Sequence, residues 1–137
     1  MSRVVADSLS ILWFVFDPVR LSPAADAALT AAQSDLILIS AITLVEVSDL
    51  SGKKSFPYAD AFPRLLAYVA DPTVPLEVLP VTVDVALALH SVPRAEIPDM
   101  PDRIIAATAL THGLPLVSSD ADLRGSAYLT ARVQVIW

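Results

Sequence analysis

Leu36-Ile37-Leu38-Ile39 is an unbroken apolar run of strand length, and it narrows the fold class more than any other stretch of the chain. A run with no polar alternation belongs to a strand covered on both faces, the situation of a parallel sheet held between helical layers. It has counterparts along the sequence. Val4-Val5-Ala6 reads as a first strand, Leu76 to Leu79 as a third, Leu114 to Val117 as a fourth and Val133 to Trp137 as a last one. Helical segments lie between them. One runs from about Ser8 to Val15, and Ser22-Pro23 is a cap and first-turn pair for a second, reaching about Gln33. Ser40 caps a helix that carries Thr43, Glu46 and Val47 and stops near Ser51-Gly52. Another spans roughly Tyr58 to Ala70, where Pro63 asks for a break or a late start. Thr82 opens a helix that ends before Pro93, and the acid-bearing turn Asp99 to Asp102 opens an almost purely apolar one that ends at Gly113. This alternation predicts an α/β fold in three layers, with a central, mostly parallel sheet of four to five strands flanked by helices.

A length of 137 residues suits one domain, taken as 1–137. A hydrophobic content of 55% is too rich for a disordered segment. No apolar stretch approaches the roughly 18–20 residues of a membrane span. Val4 to Phe16 is largely apolar behind Arg3, but Asp7 lies inside it. An acid there costs about 2.5–3.5 kcal/mol at a membrane centre, which argues against a signal peptide. The chain has no cysteine, so disulfides and thiolate metal sites are excluded and a cytoplasmic location is expected. Nine basic against fifteen acidic residues give a net charge of −6, which argues against a general polyanion binder while leaving nucleic acid open as a substrate. Three glycines, with no GxGxxG and no Walker loop, argue against a nucleotide cofactor held by glycine turns.

In open parallel sheets, ligands collect beyond the carboxyl ends of the strands. Asp7 and Asp120 follow strand ends directly, Glu46 lies less than two turns into the helix after the second strand, and Asp102 lies in the first turn of the helix leading to the fourth. Each acid has an ordinary structural alternative. Asp7 can cap a helix, Asp99 and Asp102 can be first-turn charges, and Asp120 and Asp122 can be turn residues. Glu46 can be an exposed helix charge, although Leu44, Val45 and Val47 surround it and a buried carboxylate needs a cation or donors. Their shared address at one sheet edge favours a metal site. Mg²⁺ or Mn²⁺ prefers oxygen ligands and relieves the repulsion among gathered carboxylates. Zinc fits poorly, since the chain has two histidines and no cysteine. His112 sits beside Gly113 at a helix end, and His90 is read as structural. A hard cation here lowers the pKa of a bound water and stabilises charge on an attacked phosphate, the requirements of phosphodiester hydrolysis.

The segments VVADSLSILW, ISAITLVEV, PDMPDRIIAATALTHGLPLVSSD and the terminal VQVIW resemble, in order and over essentially the whole chain, a PIN domain of the VapC type, the toxin of type II toxin–antitoxin systems. The block from Asp102 to Asp120 is the most specific part. The resemblance implies a PIN-like fold in which Asp7, Glu46, Asp102 and Asp120 hold divalent metal and carry catalysis, with Asp99 a further candidate ligand. It also implies an endoribonuclease leaving a 5′-phosphate and a 3′-hydroxyl, a homodimer, and an antitoxin partner whose tail places a basic side chain in the acidic pocket. Ser8 falls where that family usually carries Thr or Ser. Ser8 and Ser119 are candidates for orienting the carboxylates. Arg103, Arg124, Lys53 and Lys54 are candidate phosphate contacts, with ordinary surface charge as the alternative. Leu9 stands where a polar residue or His is common, and Val45 where Trp often precedes the glutamate.

Competing chemistries lack their residues. There is no GxSxG elbow and no histidine with an evident Ser/Asp partner, as a nucleophilic hydrolase needs. A receiver domain would want an acid pair after the first strand and a lysine late in the chain. The remaining rival is a catalytically silent PIN-like module acting through protein–protein contacts, which the apolar richness of the chain suits.

Overall fold

The computed structural model describes residues 2–137. Its strands are β1 (Val4–Ala6), β2 (Ile37–Ser40), β3 (Leu76–Leu79), β4 (Leu116–Val117) and β5 (Val135–Ile136). Its α-helices among the described residues are α1 (Ser8–Phe16), α2 (Pro23–Ala32), α3 (Ala41–Ser51), α4 (Ala61–Ala70), α5 (Val83–Ser91), α6 (Met100–His112), α7 (Ala121–Gly125) and α8 (Ala127–Thr130). The strands pair in the order β3-β2-β1-β4-β5, and every pairing is parallel. Val4 lies opposite Ile37, and Ala6 opposite Val117, so the first strand is bonded on both sides.

Alternation along the strands produces the layers, because successive side chains face opposite sides of a sheet. Val4, Ala6, Ile37 and Ile39 join Ile11 and Leu12 of α1, Leu29 of α2 and Leu65 of α4 in one apolar cluster. Val5, Leu38 and Leu116 join Ile105, Ala106 and Ala109 of α6 in the other, with Leu123 and Leu129 from α7 and α8. A third small cluster, Val85 with Ile104 and Ala107, seats α5 on the outer side of α6. Covered on two sides, α6 is buried continuously from Arg103 to Ala109, which explains its small, almost uniformly apolar side chains. It ends at Gly113, whose φ of 63° is the left-handed conformation that favours glycine at this place.

Some boundaries differ from those read in sequence. The fourth strand keeps only Leu116 and Val117, because Leu114 and Pro115 are spent leaving the helix, although the Pro115 carbonyl still accepts from Val5 N at 2.9 Å. The fourth helix starts late, at Ala61, so Pro63 falls in the first turn, where its missing N–H has no intrahelical partner to lose. A 3₁₀ turn at Pro18–Arg20 and the short α7 and α8 carry too few residues for a periodic signal. No helix among the described residues is long and apolar enough to cross a membrane.

The strand order reverses direction at β1. From there the chain builds outward through β2 and β3, then returns to the other side for β4 and β5. Such a reversal opens a crevice beyond the carboxyl ends of the two strands that flank it. Asp7 leaves β1 at that crevice, and Ser118 to Asp120 leave β4 there.

Candidate active site

Asp7 sits one residue past β1 with an extended backbone, and it caps α1. Its Oδ1 accepts from Ser10 N at 2.9 Å, and its Oδ2 accepts from Ser118 Oγ at 2.5 Å. The side chain is only 5% exposed. Burial pushes its pKa up, the bonds from Ser10 and Ser118 pull it back, and the charge of Asp120 raises it again. Capping and convergence on the crevice therefore coexist in one residue.

Glu46 is positioned by the helix that Ser40 starts, with Ser40 Oγ accepting from Ile42 N at 3.2 Å. One and a half turns later the carboxylate meets Ser8, whose Oγ donates to Glu46 Oε1 at 2.7 Å. Ser8 also shares a 3.0 Å hydrogen bond with the buried Thr43 hydroxyl, which ties α1 to α3. Burial raises the Glu46 pKa first, against the Ser8 bond, and the charges of Asp99 and Asp7 raise it further.

Asp102 stands in the first turn of α6, and Asp99 caps that helix by accepting from Asp102 N at 3.1 Å. Burial, then the charges of Asp120, Asp99, Glu46 and Asp7, push the Asp102 pKa from its ordinary 3.8 up to about 7. Asp120 caps α7, its Oδ2 accepting from the amides of Asp122 and Leu123 at 3.0 Å each. Residues brought by β1, α3, α6 and the end of β4 thus lie within reach of one another's fields at a single sheet edge.

No basic side chain pairs with any of these acids among the described residues; the ion pairs found are Arg3–Asp35, Arg20–Asp17 and Lys53–Asp49. The gathering is one of mutual fields and not a finished coordination shell, since no three His, Cys, Asp or Glu among the described residues are arranged to enclose an ion. The donor set still fits a hard cation. It consists of carboxylate oxygens, two of the groups already oriented by serine hydroxyls, and burial followed by the neighbouring acids raises the pKa of Asp7, Glu46 and Asp102, a cost that a cation would relieve.

The second orienting serine differs from the one expected. Ser119 makes no side-chain hydrogen bond among those found in the described residues, whereas the buried Ser118 bonds Asp7 and also accepts from Asp120 N at 3.0 Å. The sequence offers both serines, and only the point where β4 ends decides between them. Ser10, also unremarked in sequence, donates its hydroxyl to Val117 O at 3.1 Å and fastens α1 to β4. Arg124 is exposed in the last turn of α7, and Lys53 spends its charge on Asp49 at 3.6 Å. Arg103 is 7% exposed, and its Nε has no hydrogen-bond partner. His90, read in sequence as structural, is exposed at the end of α5. An apolar cavity of about 220 Å³ lies at the opposite, amino ends of β2 and β3, between Ile37, Leu76, Phe14 and Tyr68, away from the acids.

The family model described as PIN domain matches residues 4–127. Over 137 residues, all of this chain and all of the relative, the sequence is 31% identical to Ribonuclease VapC22 of Mycobacterium tuberculosis. Among solved structures it is similar to VapBC2 from Rickettsia felis bound to a promoter DNA fragment, with a TM-score of 0.68 at 14% identity, covering 97% of this chain and 96% of that one. A toxin–antitoxin complex from Klebsiella pneumoniae gives a TM-score of 0.61 at 24% identity over 90% of this chain and 92% of that one.

Proposed function

The chain belongs to the PIN domain family and is of the VapC type, and we propose from that premise that it is a metal-dependent endoribonuclease, the toxin of a toxin–antitoxin pair. The observation that carries this reading is the gathering at the switch point of the sheet of a part-buried Asp102 with Asp120, Asp99, Glu46 and Asp7, whose charges all act on it. We take residues 1–137 as one PIN domain.

Asp7, Glu46, Asp102 and Asp120 would hold Mg²⁺ or Mn²⁺, with Asp99 at the margin. A divalent ion held there would lower the pKa of a water and stabilise charge on the attacked phosphate. The chain's own residues prepare the place. Ser118 and the Ser10 amide fix both oxygens of Asp7, and Ser8 fixes one oxygen of Glu46, so these carboxylates keep their orientation. Asp102, whose proton is held up to about pH 7 by burial first and by its acidic neighbours second, would become a ready anion beside a positive charge. The substrate class is RNA, cut to a 5′-phosphate and a 3′-hydroxyl. A homodimer, a small antitoxin protein as partner and a cytoplasmic setting complete the proposal.

Purified protein should cut single-stranded or looped RNA in millimolar Mg²⁺ or Mn²⁺, stop in excess chelator, and lose cutting in Asp7→Asn and Asp102→Asn while staying folded. Expression should arrest growth, and Asp120→Ala should reverse the arrest. Cutting by both Asn variants at the parental rate would assign the activity to a contaminant. A catalytically silent module is the second reading, favoured by Leu9 and Val45, which are 45% and 62% exposed, follow Ser8 and precede Glu46 in sequence, and offer apolar surface to a partner. Metal binding by a parent chain as inactive as both variants would select it.

A further inference from the structure

On the flank of α6 that faces α5, Arg103 lines a cavity of about 420 Å³ with Leu89 and His90 of α5 and the Val92-Pro93-Arg94 turn. The cavity gathers two guanidinium groups and an imidazole in a chain whose net charge is −6. A cation as buried as Arg103 is almost always paired. Here its Nε has no hydrogen-bond partner, and no ion pair among the described residues includes Arg103 or Arg94. The acid in the adjoining turn, Glu96, is committed elsewhere, since its Oε1 accepts from Ser126 Oγ at 2.7 Å and from Tyr128 N at 3.0 Å. The Arg103 Nε caps no carbonyl at the end of α5 either, since it donates to nothing. The cavity is thus built for an anion that the chain itself does not provide.

Its position indicates which anion. Arg103 follows Asp102 directly on α6, about 1.5 Å along the helix axis and about 100° around it, so the cavity lies on the face of the first turns next to the one that carries the acid. Resting on the ribonuclease reading above, we propose that this cavity is a phosphate subsite of the same active site: Arg103 and Arg94, with His90 as a third donor, hold a phosphodiester of the RNA strand next to the one being cut. Guanidinium groups suit this because their forked N–H donors match phosphate oxygens. The acids alone would repel an incoming strand, and the basic cavity offsets that repulsion without placing a cation among the metal ligands.

The first measurement uses the full chain in excess chelator, titrated with inorganic phosphate and followed by amide NMR. Saturable shifts should appear at Leu89 to Arg94 and at Arg103, and Arg94→Gln should weaken the phosphate affinity about tenfold, the loss of one charge-assisted hydrogen bond. Arg94 is exposed, and none of the hydrogen bonds or ion pairs among the described residues rests on its side chain, so this variant folds as the parent does. In RNA cleavage, Arg94→Gln should raise KM about tenfold with kcat unchanged within about twofold. The slope of log(1/KM) against log salt should shrink by about 0.7, as for one lost contact to a single strand. Absence of saturable shifts, or phosphate shifts unaffected by Arg94→Gln, overturns the subsite. RNA cleavage with an unchanged KM overturns it too and leaves the ribonuclease reading standing. Phosphate bound in the cavity of a chain that cuts no RNA overturns the ribonuclease reading and keeps the phosphate site.

Discussion

Ser118 donates its hydroxyl proton to Oδ2 of Asp7 at 2.5 Å across 111 positions of sequence, and the Ser118 Oγ itself accepts from the amide of Asp120 at 3.0 Å. One small side chain thereby sets the spacing of two acids that the chain supplies from opposite ends. Ser118→Ala leaves a buried carboxylate and a backbone amide each short of a partner. It should cost about 2 kcal/mol in urea unfolding, and a loss below about 0.5 kcal/mol would mean that water replaces the hydroxyl.

Stability should depend on pH in a direction unusual for acids. With divalent ions chelated, Asp102 keeps its proton up to about pH 7 in the folded chain, against an ordinary 3.8, and Asp7 and Glu46 shift upward as well. The folded state therefore binds protons more tightly than the unfolded chain, so this contribution is full below about pH 4 and is lost as pH rises toward 7. Calorimetry from pH 5 to 8 should show the melting temperature falling for the parent and falling less for Asp102→Asn. A parent that gains stability over this interval contradicts the assignment.

Adding Mg²⁺ or Mn²⁺ at pH 7.5 should reverse that loss, because a ligand that binds only the folded state stabilises it by mass action. The melting temperature should rise with metal concentration in the parent and stay flat in Asp7→Asn. Equal melting temperatures in chelator and in millimolar metal would rule out a metal centre formed by these acids.

Ser8→Ala removes the donor to Glu46 while leaving every carboxylate in place. Loss of such an orienting partner weakens metal affinity about tenfold or more. The Mg²⁺ concentration for half-maximal cleavage should therefore rise by about tenfold, with a smaller change in the rate at saturating metal. A fall in the saturated rate with no change in metal requirement would assign Ser8 a different role.

Gly113→Ala should cost about 1 kcal/mol through the backbone alone. Its φ is +63°, yet nothing lies within 4 Å of an added Cβ, so crowding plays no part. A thermal melt that matches the parent would place the strain elsewhere.

The sequence makes the scaffold readable because each strand is a short, mostly apolar run and each helix that follows a strand carries its own cap. Ser22, Ser40 and Thr82 announce α2, α3 and α5, and all three accept a helix amide in the fold. The address of each acid follows from the same alternation. What cannot be read is whatever depends on where an element stops or on which neighbour it receives. Ser118 and Ser119 are equivalent until β4 is known to end at Val117. His90 and Arg94 acquire a shared purpose only when α5 packs on α6, a contact carried by Val85, Ile104 and Ala107 with no polar signal of its own. The tail of the chain is opaque for a further reason, since α7 and α8 are too short to show a helical period.

The central position of β1 also orders events in time. It is synthesised first, yet its pairing with β4 must wait until Leu116 and Val117 have emerged from the ribosome. Asp7 and Asp120 become neighbours only in a polypeptide translated past Asp120. A nascent or prematurely terminated product that stops short of β4 therefore lacks the crevice, and its chemistry is withheld until that strand has been made and paired.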